Sequence, residues 1–297
     1  MSYLQRQYRT LLVSVLVLST AACFPSKPAR VAAVAFTAED VARAAAKQSD
    51  PTVVRAGTPA YLMLLDGLIE ASPDSARLVL AGCQAYSTYA SLFTAEGDQA
   101  RTEALYARAR EYGFRALSTR ADLRGALSGT LPGFSLVLER FRKGDVPALF
   151  CTASSWAKWT AANLDNLEAL AELPLLEATM ERILELDESY SYGSPHLLLG
   201  TYLAAKPAIL GGDMAKAKEH FDRALVLADG KFLPAKVLYA KYYVRCIQDR
   251  ELFVRTLEEV LNTPADTVPE LTLSNAMAKE QAKELLEKTD EYFGEEP

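Results

Sequence analysis

Apolar residues recur at helical spacing almost without interruption from Phe36 to Tyr292, and strand signals are nearly absent. No Asn-Gly or Asp-Gly turn separates alternating apolar runs. Asp66-Gly67 lies inside a helical pattern, and Asp229-Gly230 follows one and reads as a helix stop. The expected fold class is all-α. The spacing predicts helices over 36–47, 59–70, 76–93, 98–117, 146–167, 175–186, 195–205, 213–228, 233–247, 249–261 and 269–292. The stretch 133–142 is either helical or a bent connector. Thr37-x-x-Asp40 reads as the first helix start, and Asp213 and Asp249 as N-caps.

A chain of consecutive helix pairs calls for a search for repeats. The tetratricopeptide repeat sets bulky-x-x-Leu-Gly-x-x-Tyr on one helix and Ala-x-x-x-Phe-x-x-Ala on the next. His196, Leu199, Gly200 and Tyr202 match the first half, with the tyrosine one place early; Ala217, Phe221 and Ala224 match the second. Trp156 and Trp159 with Leu176, Met180 and Ile183 form a second copy, and Ala240 and Tyr243 with Phe253, Leu257 and Leu261 a third. Leu78 and Gly82 with Ala109, Gly113 and Ala116 are the most divergent copy. The expected architecture is an α-solenoid of degenerate tetratricopeptide-like pairs, at 75–118, 146–190, 194–230 and 233–264, with a C-terminal capping helix at 269–293. Surplus residues at 206–212 and 94–98 lengthen the repeats and are expected to let the superhelix close on itself.

The N-terminus carries an address. Arg6 and Arg9 precede the eight-residue apolar run 11–18, and small residues lead to Cys23. This is a secretory signal over 1–22, too short for a permanent span, which needs about 20 apolar residues. The cysteine after Ala22 resembles a lipobox, with Thr20 where Leu is usual, so Cys23 is the expected lipidation site; plain cleavage near Ala22 is the alternative. No Asp follows the cysteine, which favours the outer membrane. Residues 23–35 are expected to be the lipidated cysteine and a tether, and 36–297 a single helical domain.

Beyond the signal the chain has 30 basic and 38 acidic side chains, a net charge of −8. Such a surface has no footprint for nucleic acid. The two histidines and four widely spaced cysteines exclude most zinc spacings and any disulfide framework. Cys83, Cys151 and Cys246 are odd in number and sit in apolar stretches, so they read as buried thiols with at least one free. His196 reads as packing, and His220, among Lys216, Glu219, Asp222 and Arg223, as solvated. No catalytic motif, metal site or cofactor loop is present; Gly211-Gly212 reads as a turn leading into the Asp213 cap, since that aspartate would repel an anion.

Between Ser75 and Phe293 the sequence resembles the TatT family, the lipoprotein component associated with tripartite ATP-independent periplasmic (TRAP) transporters. The residues that carry the resemblance are Tyr192, Gly193, His196, Leu199 and Gly200; Lys206, Pro207, Gly211, Gly212, Asp213, Lys216 and Ala217; 230–233 and 236–240; Asp249, Leu252 and Phe253; and Asn275, Ala278 and Lys279, with Trp156 and Trp159. The resemblance implies a periplasm-facing, non-enzymatic lipoprotein with a cleft or pore for a hydrophobic ligand. It implies a solute-binding protein as partner and a homotrimer as one assembly open to it.

Aromatic residues are the candidate ligand contacts. Lys236, Tyr239 and Tyr243 share one helix face, Trp156 and Trp159 another, and Tyr202 lies on the next pair. Aromatics with one lysine suit an apolar ligand with an anionic head, a small hydrophobic compound or organic acid. Packing between helices is the competing reading for each. Asn275 and Lys279, one turn apart, either close the same cleft or bond a neighbouring helix end. Three functions remain open: the TRAP-associated component, favoured by an enclosed apolar cavity; a generic tetratricopeptide scaffold lipoprotein of envelope assembly, favoured by an open polar groove; and an enzyme, favoured by converging acids or a metal.

Overall fold

The structure, a computed structural model, describes residues 27–92, 98–120 and 131–294. The signal segment, Cys23 and the insertion at 94–97 lie outside the described residues. Among the described residues every regular element is helical. In chain order these are α1 (Lys27–Ala46), α2 (Pro51–Ala71), α3 (Ala76–Ser91), α4 (Gln99–Ser118), α5 (Leu131–Leu138), α6 (Val146–Ala162), α7 (Leu167–Ala171), α8 (Leu173–Asp187), α9 (Tyr190–Ala205), α10 (Met214–Ala228), α11 (Pro234–Leu238, continued by a π-helical segment Tyr239–Val244), α12 (Arg250–Asn262), α13 (Thr272–Glu287) and α14 (Thr289–Phe293).

Local chemistry sets most starts and stops. Asp213 accepts from the amides of Ala215 and Lys216, both at 3.0 Å, and Asp249 from Leu252 at 2.9 Å. Each such cap contributes about 1 kcal/mol. Asp229 and Gly230 turn left-handed and end α10. Two starts differ from expectation. Helix α1 begins at Lys27, inside the stretch expected to be a tether, because Pro28 is tolerated in a first turn and the alanines after it propagate helix. Helix α2 begins at Pro51, not at 59, because Asp50 caps it through the Thr52 amide at 2.8 Å.

Neighbouring helices meet at glycines. A β-carbon on Gly82 would stand 2.8 Å from Ile69 and 2.9 Å from Tyr112. One on Gly113 would stand 2.9 Å from the Thr152 backbone. Phe221 is fully buried between α9 and α10, with Leu197 and Ala224. Trp156, Phe141, Leu149 and Leu176 centre a second cluster. Phe253, Leu257 and Val260 centre a third.

Two cysteine expectations are corrected. Cys83 of α3 and Cys151 of α6 form a disulfide across 68 residues, with Cα atoms 6.4 Å apart. Wide sequence spacing concealed the pair because α4 lies between the two helices in sequence while α3 and α6 touch in space. The third, Cys246, is exposed, not buried.

The two ends of the chain also meet. Leu273 of α13 packs with Val54 and Leu62 of α2 and with Tyr89 and Leu92. Lys47 pairs with Glu270 at 3.3 Å and Arg55 with Glu280 at 3.8 Å. Both pairs are solvent-exposed to a large degree, so the apolar contact contributes more than the charges. No helix among the described residues is long and apolar enough to cross a membrane.

Candidate functional site

A cavity of about 550 Å³ lies between α3 and α6 on one side and α9 and α11 on the other. Phe150, Ala157, Leu197, Leu198, Leu238 and Tyr242 supply its apolar surface. That size and character fit a small organic ligand. A second cavity, about 450 Å³, adjoins it toward α13. The two share Thr88, Ser91, Lys158, Pro234, Leu238 and Tyr242, so these residues stand at the junction. The smaller chamber carries charged side chains on its walls, Arg55, Lys241, Glu270, Glu280 and Glu284, beside apolar Leu92, Leu273 and Met277.

Two backbone irregularities shape the larger chamber. Ser191, Tyr192 and Gly193 adopt consecutive left-handed conformations, with φ of 47°, 61° and 80°, before α9 turns right-handed. Ser191 and Ser194 line the chamber. Left-handed backbone is costly for residues other than glycine, and it concentrates at binding sites. A β-carbon on Gly193 would lie 2.8 Å from that of Leu227, so a glycine is needed there for space as well as conformation. The other irregularity is the π-helical segment after Leu238, which holds Lys241 and Tyr242 at the chambers. Single π turns recur at functional sites.

Of the residues expected at the ligand, Tyr202 lines the larger chamber. Its hydroxyl donates to Glu177 at 2.8 Å, and Lys206 bonds the same carboxylate. Burial and that carboxylate push the phenol pKa up. The others are placed elsewhere. Trp156 is 2% exposed and donates from Nε1 to Glu172 at 2.7 Å. Trp159 packs under Arg110, whose guanidinium carbon is 4.4 Å from the ring centroid. Tyr239 and Tyr243 stack at 5.5 Å, and Phe221 meets Tyr239 edge-on. Lys236 pairs with Glu259 at 2.6 Å. Asn275 is fully buried; it accepts from the Leu233 amide and donates to the carbonyls of Lys231 and Ala265, all at 3.0 Å. Lys279 is half-buried on α13. None of these seven is among the residues lining either cavity. On α11 the lining face is Pro234, Leu238, Lys241 and Tyr242, one face round from Lys236, Tyr239 and Tyr243.

Lys158, Thr160 and Thr201 went unnoticed in the sequence; Tyr242 stands out there beside Tyr239 and Tyr243, but the face chosen for the ligand is theirs. A signal for the first was present: Lys158 is the single charged side chain of α6. A charge alone on an otherwise uncharged helix needs a reason to be there.

The histidines form a small network beside this wall. His196 Nδ1 lies 2.9 Å from His220 Nδ1, and His196 Nε2 lies 3.0 Å from Glu188. Arg223 also bonds Glu188. Arg223 first, then His196, holds the Glu188 carboxyl down at about 2. His220 is half-buried rather than solvated, and burial first, then His196, lowers its pKa. No group of His, Cys, Asp and Glu among the described residues is arranged to hold a metal ion.

Comparison with curated proteins gives no significant match. Residues 47–293 match the family model described as TRAP transporter T-component. That span covers all the helices from α2 onward and both walls of the larger cavity, and the chain therefore belongs to the TRAP transporter T-component family.

Proposed function

We propose that this protein is a periplasmic lipoprotein of a TRAP transport system, anchored by an acylated Cys23, which holds a small hydrophobic organic ligand in the larger cavity. The observation that carries the reading is the roughly 550 Å³ apolar chamber, shaped by a left-handed turn and a π-helical segment. Family membership supports the transport role, and the family is a transporter component and not an enzyme family. The pairs α3–α4, α6–α8, α9–α10 and α11–α12 are read as degenerate tetratricopeptide-like units capped by α13. Gly200 supports this: a β-carbon there would meet Phe221 and the Ala217 carbonyl at 3.3 Å, the close crossing the repeat pattern requires.

The partner is read as the solute-binding protein of the same system, docked over the chamber mouth. Leu164 and Leu210 line that chamber and are exposed, and Leu167 and Ile209 stand near them in sequence at 81% and 93% exposure. Apolar side chains left this open beside a cavity mark an interaction surface. A generic scaffold lipoprotein is the second reading, favoured by the same exposed leucines.

Native mass spectrometry of residues 24–297, expressed in a bacterial periplasm and purified without detergent, tests the proposal. The expected spectrum carries a ligand-sized organic adduct and reads the oligomeric state, including the homotrimer, directly. A species with no adduct that also binds no hydrophobic compound on titration would move the function to the scaffold reading.

A further inference from the structure

We propose that the outward face of α2 lies against the lipid surface in which Cys23 is anchored. The inference rests on the acylated-Cys23 reading above and adds to it a second membrane contact and an orientation of the domain. Helix α2 buries Val54, Leu62, Leu65 and Ile69 on one side. On the opposite side Val53, Ala56, Ala60, Met63, Leu64 and Gly67 follow one another at helical spacing, and all of them are exposed. Met63 is 71% exposed, Leu64 58% and Val53 54%.

A helix at the surface ordinarily turns charge toward water. Asp40 and Arg43 do so on α1, Arg108 and Glu111 on α4, and Lys218 and Asp222 on α10. The charged residues of α2 are Arg55, Asp66 and Glu70. Arg55 bonds the Leu92 carbonyl, and Asp66 accepts the hydroxyls of Tyr86 and Tyr112, so both turn toward the rest of the domain. Glu70 comes after the stripe has ended. From Thr52 to Gly67, a length of about 22 Å, the outward side of α2 is uncharged.

The place of the anchor selects the occupant. Helix α1 runs antiparallel to α2, with Ala45 in the cluster of Val54 and Leu62 and Ala35 in that of Ile69. The Tyr61 hydroxyl donates to the Ala38 carbonyl between them, at 2.9 Å. The start of α1 at Lys27 therefore lies toward the end of α2 that carries Leu64 and Gly67. Cys23 precedes Lys27 by four residues, a reach of at most about 14 Å. Acyl chains on so short a connection keep the bilayer beside the apolar stripe, at high effective concentration. A stripe this short and one helix wide falls well below the roughly 800 Å² that each partner buries in a stable protein interface, whereas a domain already anchored needs only a supplementary contact. With no charge in it, the stripe does not select anionic lipid.

The test is nitroxide labelling of the full chain, processed in a bacterial host and reconstituted on vesicles of phosphatidylethanolamine and phosphatidylcholine. Cys246→Ser removes the exposed thiol, and the label is carried by Leu64→Cys, with Met63→Cys as a second site. Glu251→Cys, at a position 91% exposed on α12, is the aqueous control. The mass of the mature protein reports its acyl chains. On reconstitution the ratio of oxygen to nickel-chelate collisions is expected to rise several-fold at Leu64 and Met63, equally in low and high salt, and to stay unchanged at Glu251. Acylated protein whose labels at both α2 sites remain aqueous overturns the inference and leaves the anchor standing. Spin–spin broadening at Leu64 on the vesicles would place a second copy on the face and also overturns it. A mature mass without acyl chains overturns the anchor reading and the inference together.

Discussion

The two walls of the larger cavity are built on different principles. Helices α3 and α6 are regular; the Cys83–Cys151 disulfide joins them, and α4 packs against both. Behind them, Asp66 accepts the hydroxyls of Tyr86 at 2.7 Å and Tyr112 at 2.6 Å, and Arg108 donates to Tyr112. Burial, then the Asp66 carboxylate, pushes Tyr86 up to about 12, so its phenol keeps its proton across any ordinary pH. The opposite wall, α9 and α11, departs from the α-helix in both members. One wall is a cross-linked frame. The other spends stability on backbone conformations that aim side chains into the chamber.

Removing the cross-link is expected to have the largest effect on this contrast. In Cys83→Ser/Cys151→Ser, the chain-entropy relation for a loop of 68 residues gives a loss of about 4 kcal/mol. Urea unfolding of oxidised wild type against the double variant reads it, and an unchanged midpoint would show that the frame does not depend on the bond. Gly193→Ala comes next, at about 1–3 kcal/mol, because alanine at φ 80° is strained and also meets Leu227. A neutral Gly193→Ala would remove the evidence that the turn is a constrained feature.

Smaller still in stability, but larger in function, is Tyr242→Ala. Its side chain stands at the junction of both chambers, so the midpoint should move by about 1 kcal/mol while affinity for an apolar probe, decanol, falls about tenfold. Tyr239→Ala is the matched control on the other face, and is expected to cost stability through Phe221 and Tyr243 without changing affinity.

The smallest effect is the pH response of the irregular wall. His220 has a lowered folded pKa, so the unfolded chain binds the proton better. Its contribution to stability is therefore complete above about pH 6.5 and is lost as pH falls below it. Glu188, held at about 2, contributes above its ordinary carboxylate pKa and loses that contribution as pH falls toward 2. Chemical unfolding between pH 7.5 and 5.5 should show a decline that His220→Gln flattens. A decline unchanged in that variant would place the sensitivity elsewhere.

Helical periodicity, the Asp213 and Asp249 caps and the Asp229-Gly230 stop were legible in the sequence because each depends on residues within one or two turns. Motif spacing also carried the family, since Gly193 and Gly211 answer to left-handed backbone and Gly200 to the crossing of two helices adjacent in sequence. The lining of the cavity was not legible in this way. Periodicity grouped Lys236, Tyr239 and Tyr243 on one face and left Leu238, Lys241 and Tyr242 on the next, but either face can meet a neighbouring helix. Only the packing of α10 and α12 on the first face decided that the second faces the chamber. Asn275 and Trp156 look alike as ligand contacts or as core, and their partners, the Leu233 amide and Glu172, are 42 and 16 residues away. The disulfide followed the same logic, because a bond across 68 residues depends on which helices touch. The sequence by itself therefore determined an all-helical chain of this family. The tertiary structure alone decided which side chains surround the empty space, because that is a property of helices distant in sequence meeting at fixed angles.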